Sequence, residues 1–185
     1  MVVTVLYWLL FKPTKQRSYG AGQPLRPSGS YRKVLRSRAV LLICLANVVA
    51  NFGFFSLVTW MPTFLLEEMA FATMGLIFGM VPLSGAVGAI LLGMLSDTLG
   101  NRMVVTSLTG LVSAAASYLL FTSSNGFALV TTMLVLIGFL YFPSWNLLTA
   151  MAQDSTSPEN IGTATGLTQN AGLIGGLIGP VAVGI

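Results

Sequence analysis

Seven side chains place amide, phenol or indole groups inside stretches that are otherwise apolar: Asn47, Asn51, Tyr141, Trp145, Asn146, Gln169 and Asn170. Such groups donate and accept hydrogen bonds, and left unpartnered in hydrocarbon they are costly. Each therefore has two readings. It can bond to a neighbouring helix, or it can line a water-filled cavity that holds a solute. Asn47 and Asn51 share one face of a helix, and Phe54 and Phe55 follow about a turn later. A second group is charged. In the run Gly93–Arg102, Asp97 lies between Gly93 and Gly100, and the run ends on Arg102, the only basic residue after Arg38. The glycines permit a tight turn and a positive φ. Asp97 can cap a helix start or accept charge-assisted bonds from Arg102 or a nearby helix N-terminus. The plainer reading is an interfacial turn carrying one basic residue.

Other chemistry lacks its groups. The chain has no His, and Cys44 stands alone in an apolar run, so no disulfide framework forms within it. No nucleophile stands beside a base, and no set of side chains has metal-ligand spacing. The glycine runs lie in apolar spans with no preceding strand, which is not the setting of a nucleotide-binding loop. No enzymatic activity, cofactor or metal is expected.

The elements that must carry these side chains follow from composition. Hydrophobic residues make up 55% of the chain and charged residues 8%, against about 25% charged in soluble domains. So little charge cannot clothe a globule in water, and the natural solvent is lipid. Five apolar spans are expected at Ala39–Trp60, Phe71–Leu95, Met103–Phe121, Phe127–Ala152 and Ile161–Ile185. Their lengths match or slightly exceed the roughly 17–25 residues that cross a bilayer. Together, residues 39–185 read as an all-α, multi-pass helical bundle. Residues 1–11 are apolar but extend only about 16 Å as a helix. They read as the end of a spanning helix whose start is missing; a signal peptide would carry its basic residues before the apolar run, not after it.

Residues 12–38 hold eight of the nine basic residues. Pro13, Pro24, Pro27, Gly20, Gly22 and Gly29 break this linker, and a short amphipathic helix is expected from Ser30. Its face of Tyr31, Val34 and Leu35 opposes Arg32, Lys33 and Arg36, a pattern suited to the surface of an anionic leaflet. A disordered basic loop is the competing reading. Positive charge flanking apolar spans collects on the cytoplasmic side, so the linker is a membrane flank and no nucleic-acid partner is expected. Lys12–Arg38, Asp97–Arg102 and Asp154–Glu159 then face the cytoplasm, while Glu67, Glu68 and Ser123–Gly126 face outward. Two pairs of glycines at four-residue spacing, Gly75 with Gly79 and Gly175 with Gly179, are expected to mark close helix packing, and Gly175–Pro180 adds a kinkable point.

The order G-x-x-x-D-x-x-G-x-R at Gly93, Asp97, Gly100 and Arg102 resembles the cytoplasmic loop signature of the major facilitator superfamily of secondary transporters. Trp60-Met61-Pro62-Thr63-Phe64-Leu65-Leu66 resembles the end of the seventh helix common among organic-anion transporters of that family, which points to the organic-anion/cation symporter type. The resemblance runs from a partial sixth helix to the eleventh. It implies half of a twelve-helix fold, truncated, that moves a small, organic anionic solute through the cell membrane by alternating access. The implied partners are membrane lipid, the solute and a missing N-terminal six-helix half. Asn47, Asn51, Phe54, Tyr141, Trp145 and Asn146 fall on the matching seventh and tenth helices that line the family's cavity. Asp97 matches the acid that locks two helix ends, its partner being the helix start near Ile161–Thr165. Thr98 and Asn101 depart from the pattern, which usually has basic residues there, so a thinner charge network is expected. No Asp, Glu, Lys, Arg or His lies deep in a span, so coupling groups are expected in the absent half, if anywhere. A different class fits the same composition: a small non-transporting membrane protein that binds a partner through its glycine-rich helices.

Overall fold

The computed structural model describes residues 31–66, 70–122 and 127–184. The apolar segment 1–11, most of the basic linker, Glu67, Glu68 and Ser123–Gly126 lie outside the described residues. Among the described residues six α-helices follow in order: α1 Tyr31–Leu35, α2 Arg38–Leu66, α3 Phe71–Leu99, α4 Arg102–Thr122, α5 Phe127–Asp154 and α6 Ile161–Val183, with one 3-10 turn at Pro158–Asn160. The protein is an all-α, multi-pass membrane bundle. Large apolar side chains point outward from α2, α3, α4 and α6, among them Leu42, Leu83, Leu111 and Leu177, as a lipid solvent requires.

Arg38–Thr63, Phe71–Leu99, Arg102–Leu120 and Phe127–Asp154 are long and apolar enough to cross a membrane. The fifth expected span, now α6, does not join them. Its first half carries Thr163, Thr165, Thr168, Gln169 and Asn170, and its glycines add little hydropathy. Four helices also run past the expected boundaries: α2 continues through Pro62 to Leu66, α3 continues to Leu99, α4 gains one residue at each end, and α5 reaches Asp154.

Two glycine seams assemble the bundle. In the first, α6 lies along α2. A Cβ on Gly175 would meet the Val48 carbonyl, and one on Gly179 would meet the Phe52 carbonyl. In the second, α3 lies along α5. A Cβ on Gly88 would meet the Phe139 carbonyl, and one on Gly138 would lie 2.5 Å from the Val81 carbonyl. Pro143 has no N–H, so it frees the Phe139 carbonyl from its helix bond. Gly88 brings the α3 backbone onto that exposed acceptor, where Cα–H groups can face it. Ser84 adds a direct bond across this seam, its Oγ donating to the Val135 carbonyl at 2.9 Å.

The packing expected at Gly75 and Gly79 is corrected by the structure. Both residues are exposed on the outer face of α3 and build neither seam. Nothing among the described residues lies within 4 Å of a Cβ placed at Gly75, and the same holds at Gly79. The physical reason is the face they occupy: Gly75 and Gly79 share a stripe with Leu76, Met80 and Leu83, which are exposed, whereas Met74, Ile77 and Val81 turn inward. The seat on α3 is further along, at Gly85 and Gly88. Helix α4 covers the remaining side of α5, and α5 also touches α2 and α6. The largest apolar cluster, including Leu65, Ile77, Leu120, Val130 and Leu134, fills the end of the bundle away from α1.

Candidate functional site

The polar side chains form two clusters and one charged clip. The first cluster is closed. Asn47 and Asn51 project from α2 into the α2–α6 seam and are 0% and 1% exposed. Asn47 Nδ2 donates to the Thr168 carbonyl at 2.7 Å. Asn51 Nδ2 donates to the Asn47 carbonyl at 2.8 Å and to Asn47 Oδ1 at 2.9 Å. Tyr141, on α5, donates its hydroxyl to Asn51 Oδ1 at 2.9 Å. The Phe54 ring stacks on Tyr141 with centroids 3.7 Å apart and planes 3° from parallel. Gly172 makes room for the ladder, since a Cβ there would lie 2.8 Å from Asn47 Nδ2 and 2.9 Å from Asn51 Nδ2. These amides are consumed by helix-to-helix bonds, and their burial leaves no face for a solute in this conformation.

The second cluster is open and lies where α5 meets α6. Trp145 Nε1 donates to Gln169 Oε1 at 2.8 Å, and Gln169 Nε2 donates to Thr149 Oγ1 at 3.1 Å. Nearer the helix ends, Gln153 Nε2 donates to Thr165 Oγ1 at 3.1 Å. Asn146 and Asn170, each one residue beyond the bonded Trp145–Gln169 pair, are exposed. Asn170 Nδ2 turns back to the Gly166 carbonyl at 2.8 Å, which leaves its oxygen outward. Of the six cavity candidates, then, Asn47, Asn51, Phe54 and Tyr141 come together in the closed cluster. Trp145 and Asn146 belong to the open edge. Thr149, Gln153 and Thr165 were not singled out in the sequence; their signal is a polar residue about every turn along the facing ends of two helices. A separate cleft of about 750 Å³ lies between α2, α4 and α5, lined mainly by apolar side chains and floored by Phe54 and Tyr141.

The charged clip is at the α1 end of the bundle. Gly100 ends α3 with φ +62°, the left-handed value for which glycine is suited. Gly93 lies inside α3 with nothing within 4 Å of a Cβ among the described residues, so it takes no part in the turn. Asn101, not Asp97, caps the next helix: its Oδ1 accepts from the Val104 N–H at 3.3 Å. Arg102 Nη2 lies 3.7 Å from Asp97 Oδ1, while Nη1 lies 3.0 Å from Asp154 Oδ2. Among the described residues, no hydrogen bond or ion pair links Asp97 to the start of α6. The shorter partner of Arg102 is thus Asp154, which the sequence did not pair with it. One guanidinium ties the ends of α3 and α5 to the start of α4. Each charge sits at the unfavourable end of its own helix dipole, so the clip also offsets three adverse local fields.

The two glycine seams and the mid-helix polar edge define a multi-pass helical membrane protein. The chain belongs to the Major Facilitator Superfamily, whose family model matches residues 1–180. It is 30% identical over 136 residues to a cis,cis-muconate transport protein of Acinetobacter baylyi, covering 72% of this chain and 32% of the relative. It is 31% identical over 153 residues to a glycerol-3-phosphate transporter of Bacillus subtilis, covering 79% of this chain and 34% of the relative. An uncharacterized protein of Archaeoglobus fulgidus is 27% identical over 164 residues, covering 88% and 73% respectively. The chain therefore spans about a third of the two transport proteins' length. No solved structure matches it.

Proposed function

We propose that this chain is the C-terminal half of a secondary transporter that carries a small organic anion across the cell membrane by alternating access. Its partner is an N-terminal six-helix half, and the type is that of the organic-anion/cation symporters. The observation that carries this reading is the open edge of α5 and α6. Exposed amides at Asn146 and Asn170 lie well inside long helices, where hydrocarbon would penalise them. A water-filled cleft at the interface of two helical halves removes that penalty and is where this architecture binds solute. On this reading α6 also spans the membrane, sheltered on its polar side.

The two named relatives carry muconate and glycerol-3-phosphate in their names, and both compounds are anions at neutral pH. This half offers such an anion neutral donors only: the Asn146 amide and, once they leave the Gly166 carbonyl and Gln169, the Asn170 amide and the Trp145 indole. The cation that balances the solute's charge belongs to the other half. The α1 end faces the cytoplasm, where basic flanks remain. There the Asp97–Arg102–Asp154 clip holds three helix ends together, and Asp97 engages the start of α6 in a second conformation, where the helix dipole favours a carboxylate.

Counterflow in proteoliposomes tests the proposal. The chain is reconstituted alone and together with the N-terminal six-helix half of a family member, and muconate and glycerol-3-phosphate are offered first. Saturable uptake by the pair, reduced at least several-fold by Asn146→Leu, is expected. An assembled pair that moves no organic anion contradicts the reading and favours a scaffold role.

A further inference from the structure

The α1–α2 corner of the bundle gathers four cations that have no ion-pair partner among the described residues. Arg32, Lys33, Arg36 and Arg38 are all exposed. Among the described residues no carboxylate lies within 4 Å of any of them, because Asp97 and Asp154 are taken by Arg102. Glu159, the other carboxylate at this end, is on the 3-10 turn that leads into α6. The corner is held in place by one residue. Val34 is 2% exposed and packs with Val40, Cys44 and Ala164 at the α2–α6 seam. The sequence suggested a helix lying on an anionic leaflet, with Tyr31, Val34 and Leu35 together on the side opposite the basic residues. Instead Val34 anchors α1 to the protein, while Tyr31 and Leu35 stay 57% and 39% exposed beside the cations.

We propose that this corner is a binding surface for anionic phospholipid headgroups. Three features point to lipid. The cations sit beside an exposed tyrosine and leucine, the mix found where a bilayer meets water. Directly below them α2 presents Leu41, Leu42 and Leu45 outward, so acyl chains have an apolar wall to follow. Arg38 also opens α2, where the helix dipole already places positive charge. A phosphate at this point relieves that repulsion and meets the N–H groups of Arg38 and Ala39, those of Val40 and Leu41 being taken by Ser37. Because Val34 fixes α1, the four cations are presented as a preset collar rather than as a loose tail. Electrostatic attraction of this kind strengthens association by roughly fivefold for each cation engaged, and salt screens it.

The test reconstitutes the chain in phosphatidylcholine bilayers with trace spin-labelled phosphatidylglycerol or phosphatidylcholine, and measures the motionally restricted fraction of each label. Phosphatidylglycerol should be enriched at the protein roughly fivefold over phosphatidylcholine, and high salt should remove most of the difference. The variant R32Q/K33Q/R36Q/R38Q should bring the two labels to parity. The milder R32Q/R36Q should fall between, with helicity by circular dichroism unchanged. Equal restriction of both labels by the unaltered chain overturns the proposal. So does selectivity that survives in both variants, since other residues then carry it. Inorganic phosphate at fixed ionic strength should not displace the labelled lipid; if it does, the corner is a site for soluble anions and the lipid assignment fails.

Discussion

The α2–α6 seam and the α5–α6 edge share a helix and use the same residue types, yet they are opposites. In the seam, Asn47, Asn51, Thr168 and Tyr141 satisfy one another in a chain of bonds no longer than 2.9 Å, packed against Gly172. At the edge, Asn146 and Asn170 are exposed, and among the described residues nothing lies within 4 Å of a Cβ placed at Gly162 or Gly166. Close backbone approach is what separates the two. Where glycine lets α6 touch α2, amides become glue. Where no helix approaches, the same groups remain available to water or a solute. Polarity within a span therefore does not by itself mark a binding site; what matters is whether the fold has already used the hydrogen bonds.

The sharpest way to break this contrast is to add one methyl group on each side. In Gly175→Ala the new carbon runs into the Val48 carbonyl, and overpacking of this kind costs about 1–3 kcal/mol. Gly166→Ala meets nothing among the described residues and should be neutral, or stabilising by up to about 1 kcal/mol through helix propensity. Thermal unfolding in micelles measures both. A smaller effect is expected from the bond between the two parts of the closed cluster. A double-mutant cycle of Tyr141→Phe and Asn51→Leu should give a coupling of about 0.6–1.7 kcal/mol, the range for interhelical bonds in membranes. A coupling near zero would mean the ladder does not hold α5 to α2. The smallest effect belongs to the clip. Arg102→Gln removes pairs whose carboxylates are more than half exposed, so it should cost no more than about 1 kcal/mol. Asp154→Asn should match it, and Asp97→Asn should fall below both.

Much of this arrangement was legible in the sequence. Composition and span length set the all-α membrane class, and the spacing of Asn47 and Asn51 put them on one helix face. The partner of Asn47 across the seam could not be read, because it is a backbone carbonyl at Thr168, and every residue has one. Gly75 and Gly79 have the same spacing as Gly175 and Gly179, but only Gly175 and Gly179 meet a neighbouring backbone. Spacing fixes a helix face without saying what lies opposite, and among the described residues no helix lies opposite Gly79. Arg102 and Asp154 are joined only by the antiparallel return of α5, which a local motif does not contain. Asn101 was noted for lacking a basic side chain, while its role as the cap of α4 depends on the turn at Gly100. The amides that lower the hydropathy of α6 are also those that distinguish its open face.

Water contact at the individual amides tests the central contrast most directly. The chain, labelled with nitrogen-15 at its Asn and Gln side chains and reconstituted in bilayers, can be examined by water-edited solid-state NMR. The account expects rapid polarisation transfer from water to the Asn146 and Asn170 amides and little transfer to Asn47 and Asn51. Equal transfer to all four would show that the seam is not closed. A dry Asn146 would show that the α5–α6 edge faces hydrocarbon and is no part of a solute path.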